Sequence, residues 1–162
     1  MNKDILLGQI DEIFLRLDRV ASGLTPDDML KPVALADGES EGWTIGDCLV
    51  HLAAWKRNAI RIADYQIGGS PPEDDYPTAI LGLNRDGFNA DLIVKWKGKT
   101  ATEILEEHRA AHRLLVGKLS KLSPGRLLVE DEDGLRARKW LKPALSHTVD
   151  HLEEQILPVV GG

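Results

Sequence analysis

The sequence predicts an all-α protein, a four-helix bundle with an extra short helix in its long middle connection. Three observations carry that prediction. Apolar residues recur at helical spacing in four long stretches, capping residues stand at the starts of several, and no strand pattern is strong enough to compete. Four amphipathic stripes are buried most simply against one another.

The first stretch, Lys3 to Ser22, places Leu6, Ile10, Ile13, Phe14, Leu17, Val20 and Ala21 on one side and Asp11, Glu12, Arg16 and Asp18 on the other. Gly23 and Thr25-Pro26-Asp27-Asp28 end it and start a short turn, and Pro32 to Gly42 reads as a loop. Thr44 with Asp47 is a capping-box-like start for the second helix, which runs to about Tyr65 with Cys48, Leu52, Trp55, Ala59 and Ile62 as its stripe. Gly68-Gly69-Ser70-Pro71-Pro72 breaks the chain, and Glu73-Asp74-Asp75 follows on a surface loop. Asn84 to Lys97, with Phe88, Leu92 and Trp96 four apart, is the extra short helix. Thr100 and Glu103 form a capping box that opens a third long helix through Leu122, stopped by Ser123-Pro124-Gly125. Leu127 to Arg138, around Asp133-Gly134, reads either as irregular or as a small hairpin. Pro143 suits the first turn of a last helix that continues to about Leu157, before Pro158.

Bulk properties narrow the function. A chain of 162 residues, 43% apolar and 28% charged, fits one globular domain over residues 1–162. A formal net charge of −6 disfavours nucleic acid or an anionic membrane as the main partner. The lone cysteine, Cys48, excludes an internal disulfide and fits a reducing, cytoplasmic setting. The charged start Met1-Asn2-Lys3-Asp4 is not that of a signal peptide, and no apolar run approaches spanning length.

Chemistry concentrates in the histidines. His147 and His151 are four residues apart in the last helix, so they share a face about 6 Å apart. His51 lies in the second helix, one turn from Cys48 and from Trp55, and faces inward with them. Three neutral imidazoles from two facing helices make a metal site with open positions, in the style of catalytic rather than structural zinc. The alternative is that each is a hydrogen-bonded core histidine, since a four-residue histidine spacing arises easily by chance.

The segment Gly42-Trp43-Thr44-Ile45-Gly46-Asp47-Cys48-Leu49-Val50-His51-Leu52 resembles the W-[ST]-hydrophobic-x-D-x-hydrophobic-x-H-L motif of the DinB/YfiT-like four-helix-bundle superfamily. His147-Thr148-Val149-Asp150-His151 resembles the HxxxH of that superfamily's last helix, and Leu83 to Asn89 through Ala110-Ala111-His112 is similar to its ClbS-like branch. The resemblance implies an up-down-down-up bundle with a divalent metal, zinc or nickel foremost, on His51, His147 and His151. It also implies hydrolysis or transfer of a low-molecular-weight thiol onto a small, electrophilic substrate, and pairing into a homodimer. The ClbS-like branch includes proteins that protect cells by attacking a reactive toxin.

Other residues are candidates with two readings each. His108 and His112, four apart in the third helix, either serve the pocket as acid/base or substrate contacts or border the core. Glu154 is either a general base near the metal or, with Glu153, part of a solvated face. Trp43 and Trp55 either wall a pocket or anchor the core. Asp47 either supports a ligating histidine or serves its helix start, and Cys48 is either a soft ligand or a small buried hydrophobe. Arg136, Arg138, Lys139 and Lys142 either draw an anion to the rim or are solvated surface. The competing functional classes are a binding or protective protein without metal chemistry, and a structural homodimeric module.

Overall fold

A computed structural model describes residues 1–35, 38, 40–76, 82 and 84–161. Residues 36, 37 and 39 of the expected loop, Leu83 of the middle segment and Gly162 lie outside the described residues. Helix α1 (Lys3–Ser22) starts where the Asn2 side chain accepts from the Ile5 N–H, and it buries Leu6, Ile10, Leu17 and Ala21. The short turn is a one-turn helix, α2 (Pro26–Met29), closed by a Thr25–Asp28 capping box. Helix α3 (Ile45–Ile67) is capped reciprocally by Thr44 and Asp47, whose carboxylate accepts from Thr44 N–H at 2.9 Å. The extra helix is α4 (Arg85–Trp96), followed by α5 (Ala101–Leu119) behind the Thr100–Glu103 capping box. Helix α5 stops at Leu119 rather than Leu122, because Ser120 already serves as its C-cap.

A one-turn helix α6 (Pro124–Leu127) leads into the hairpin alternative: β1 (Leu128–Asp131) pairs antiparallel with β2 (Gly134–Ala137). Gly134 turns the chain at φ +106°, a conformation that costs glycine no steric strain. The last helix departs from expectation at both ends. Pro143 belongs to a 3₁₀ segment, Lys139–Ala144, and the helix begins only after Leu145, whose φ and ψ of −120° and −116° break the run. It then proceeds as α7 (Ser146–Asp150), a π-helical stretch His151–Ile156, and α8 (Leu157–Val160). Pro158 therefore does not end it. Proline lacks the N–H for an α-helical rung, and the departure from regular α geometry falls just before it.

Helix α3 is the central element, packed on α5, α4 and the 3₁₀ segment. It is buried on several faces rather than along one stripe. Among the described residues the apolar interior forms two clusters. One joins Leu6, Ile10, Ile62, Leu115, Leu119 and Trp140; the other joins Leu17, Ile45, Leu49, Leu52, Ile104 and Leu152. Between them along the helices stand polar and aromatic side chains, among them Asp11 and Phe14, Lys56, His108 and His112, His147 and His151. At the end of the second cluster α2, α3 and α5 approach so closely that a Cβ on Gly46 would meet Met29 O at 3.2 Å and Ile104 Cδ1 at 3.3 Å. Among the described residues no helix is long and apolar enough to cross a membrane.

Candidate metal centre

His51 projects from the N-terminal third of α3, fully buried, towards the last helix. There His147 stands in α7 and His151 opens the π-helical stretch one turn later. The three side chains meet. His51 Nε2 lies 3.2 Å from His147 Nε2, His151 Nε2 lies 2.9 Å from that same atom, and one ligand nitrogen from each residue falls within 4.8 Å of the others. A tetrahedral zinc with bonds of about 2.0–2.1 Å would hold its nitrogens roughly 3.4 Å apart, so the spacing fits a single small divalent ion.

The chemistry of the donors fits as well. Burial, then the neighbouring imidazoles, push the His51 pKa down to about 2, and burial with His151 brings His147 to about 3. Both rings are therefore neutral donors at physiological pH. Arg85, at the start of α4, acts on both His51 and His147, and Lys142 acts on His147. Each contributes positive charge. No carboxylate belongs to the group within ligand distance among the described residues.

The surroundings are aromatic and amide. The Trp43 ring lies tilted against His51 at 4.7 Å, held by a backbone pairing in which Val33 N–H donates to Trp43 O. Trp55 stands edge-on to His51 at 6.3 Å and also meets Tyr76 and Phe88, so it joins the site to the packing around α4. Asn89, from α4, and Gln155, from the π-helical stretch, contact the outer nitrogens of His51 and His151 at 3.2 and 2.6 Å. Sequence inspection missed both. Only the placement of Asn89 one residue past Phe88, and of Gln155 four past His151, hints at them.

The remaining candidates fall elsewhere. Cys48 is fully buried with its sulfur 3.4 Å from His151 Nδ1, the nitrogen facing away from the convergence point. Burial, with Asp47 nearby, pushes its thiol pKa far up, so it is a packed hydrophobe here. Asp47 spends its carboxylate on the helix cap. Glu154 is exposed, and neighbouring Glu153 pairs with Arg16 at 2.8 Å on the surface. Arg136 pairs with Asp74 and Asp131, and Arg138 donates to Gly125 O, leaving Lys142 as the member of that basic group whose charge reaches the histidines.

His108 and His112 are buried, but in a seam between α1, α3 and α5 outside the histidine group. Phe14 stacks on His112 at 3.7 Å with rings nearly parallel, and on His108 at 4.9 Å. His112 Nε2 lies 2.9 Å from Asp11 Oδ1. The third group in this seam is Lys56, 1% exposed, its ammonium 5.5 Å over the Phe14 ring. Sequence periodicity gave no sign that a lysine would be buried there.

No curated protein matches the chain. Among solved structures it is similar to the crystal structure of an uncharacterised protein from Escherichia coli UTI89, with a TM-score of 0.66 at 15% identity, covering 91% of this chain and 86% of that one. That likeness supports the fold alone. A family model described as the DinB superfamily matches residues 4–154, which spans α1 through most of the last helix and includes all three converging histidines. The protein belongs to the DinB superfamily.

Proposed function

We propose that this protein is a divalent-metal-dependent enzyme acting on a small electrophilic molecule, either by hydrolysis or by transfer of a low-molecular-weight thiol. One observation carries the reading: three imidazole nitrogens, one from each histidine, converge within ligand distance of one another. The superfamily is often metal-binding, which agrees with it. His51, His147 and His151 would hold the ion, zinc or nickel by the imidazole character of the site. A divalent ion held by three protein ligands supplies Lewis acidity and lowers the pKa of a water or thiol that takes an open position.

The chain's own residues do the rest. Neutral donors leave the charge of the ion uncompensated, and the positive charges of Arg85 and Lys142 add to it, so an anionic nucleophile is favoured at this point. Trp43 covers one side of His51 and limits water there. His108, His112 and Glu154 have no step assigned to them, since none joins the converging group.

Metal content of untagged protein, measured by mass spectrometry beside His51→Ala and His147→Ala, tests the reading. Near-stoichiometric zinc or nickel in the wild type, lost from both variants, would justify assays with ester, amide and thiol-acceptor substrates. A wild type that carries no metal and refuses added metal would overturn it, leaving a metal-independent binding protein.

A further inference from the structure

We infer that Asn89 and Gln155 are positioning residues that fix the tautomers of His51 and His151, so that both Nε2 lone pairs face the convergence point. The inference rests on the metal reading above and specifies how the apoprotein is prepared for it. Its starting point is Trp55, whose indole N–H can only donate. That N–H lies 3.0 Å from the Asn89 side-chain atom that also contacts His51 Nδ1 at 3.2 Å. The shared atom must therefore be the amide oxygen and not the NH₂ group, an assignment that otherwise follows only from the network around it.

A carbonyl oxygen accepts and cannot donate, so His51 must carry its proton on Nδ1. Its Nε2 is then bare and points at His147 Nε2. Asn89 is 4% exposed, and both lone pairs of its oxygen are occupied by these two donors. Water cannot substitute easily there. On the opposite side Gln155 stands in the place that Asn89 takes behind His51. Gln155 Oε1 lies 2.6 Å from His151 Nδ1 and 3.7 Å from the Cys48 thiol, while Gln155 Nε2 donates to Ser40 Oγ at 2.9 Å. With the Gln155 amide in this orientation, its oxygen toward the ring, His151 donates from Nδ1 and also presents a bare Nε2.

Two lone pairs then face one atom, His147 Nε2, at 3.2 and 2.9 Å. That nitrogen carries at most one proton and can satisfy only one of them. A cation at the convergence point satisfies all three nitrogens at once. Asn89 and Gln155 are amides rather than carboxylates, so they orient the ligands without adding negative charge behind them. This also gives a purpose to α4, which delivers Asn89 from outside the long helices of the bundle.

The test reads the ring nitrogens directly, by ¹⁵N NMR of histidine in the metal-free protein near pH 8, together with zinc affinity by chelator competition. His51 and His151 are expected as Nδ1–H tautomers in the wild type before any metal is added. Asn89→Leu should release His51 into a mixture of tautomers and weaken zinc by about 10–100-fold. Asn89→Asp, which keeps an acceptor, should restore both readouts. Trp55→Phe frees the amide to rotate and should disorder the His51 tautomer while leaving His151 unchanged; Gln155→Leu should do the reverse. A proton on His51 Nε2 in the wild type, or an Asn89→Leu protein with unchanged tautomer and affinity, would overturn the inference. If the wild type shows these tautomers yet binds no zinc, the metal reading fails while the positioning role stands.

Discussion

Two buried polar regions occupy the middle layer of this bundle, and each contains a pair of histidines four residues apart on one helix. In the first, His147 and His151 turn their Nε2 atoms to one point and are met there by His51 from α3. In the second, His108 and His112 lie against the Phe14 ring, with Asp18 and Asp11 at the rim and Lys56 beside them. The spacing is the same and the burial comparable. The difference lies in what each ring nitrogen faces. An imidazole becomes a ligand when its outer nitrogen has an acceptor and its inner nitrogen faces other lone pairs; it becomes packing when its face is covered by a phenyl ring. Like the spacing, the burial and lowered pKa values are shared by both regions, so none of these separates a site from a seam.

The comparison breaks most sharply on metal. With zinc at a hundred times its dissociation constant, mass action stabilises the folded protein by about 2.7 kcal/mol, or roughly 5–10 °C in Tm at this chain length. His51→Ala and His147→Ala are expected to abolish that rise, whereas His108→Phe should retain it. A zinc-dependent Tm that vanishes with His108→Phe would mean that the seam, not the triad, holds the ion.

Lys56 provides the next largest effect, and of opposite sign. Burial pushes its pKa down from 10.5 to about 8, so the unfolded chain binds the extra proton between those values and stability rises with pH across that window. Below pH 8 the buried ammonium carries the full cost, about 3 kcal/mol. Lys56→Met should therefore be more stable than wild type at pH 7 by about 2–3 kcal/mol, after allowing for the lost contact with Phe14. The gap should close as pH approaches 10. Urea unfolding at pH 7 and pH 10 measures it, and a variant less stable at both would show that the ammonium is well compensated.

How much of this was legible in the sequence depended on what each feature responds to. The bounds of α1 and the starts of α3 and α5 follow from local chemistry, namely Asn2, Thr44 with Asp47 and Thr100 with Glu103, and those are visible in a few adjacent letters. His51 pointed inward because Cys48 and Trp55 do. Lys56 was invisible because α3 is packed on several sides, so its buried residues exceed any single stripe. Asn89 and Gln155 were invisible for a related reason. Their partners come from other elements, and the π-helical turn that carries Gln155 has no signature in the letters beyond a proline seven residues after His151. The last helix was placed three residues early because Pro143, a good first-turn residue, is used instead in the 3₁₀ segment.

A smaller effect separates the two regions under acid. His108 is pushed down to about 3 by burial, with Lys56 as the next contributor, while the unfolded chain protonates it near 6.5. Between those values the unfolded state binds more protons, so stability falls as pH falls. Its slope is about 1.4 kcal/mol per pH unit for this one group. His108→Phe should flatten the acid limb by that amount with little change above pH 7. His51 and His147 have the same sign in the metal-free protein, so the limb should remain but be less steep. An unchanged slope would place the protons elsewhere.

Cys48 sets the finest distinction, because it lies within the triad's own surroundings yet belongs to the packing. Its sulfur faces His151 Nδ1 and Gln155 Oε1, behind one ring of the converging group, and it is fully buried. Cys48→Ala removes one buried sulfur without removing a proton acceptor, so it should cost about 1 kcal/mol of stability. Zinc stoichiometry should be unchanged, and the native wild-type thiol should resist alkylation until the protein unfolds. Loss of zinc on this substitution would move the metal to the other edge of His151. The Nδ1 proton that Gln155 holds would then have to be absent, so this small variant also tests the direction in which the site faces.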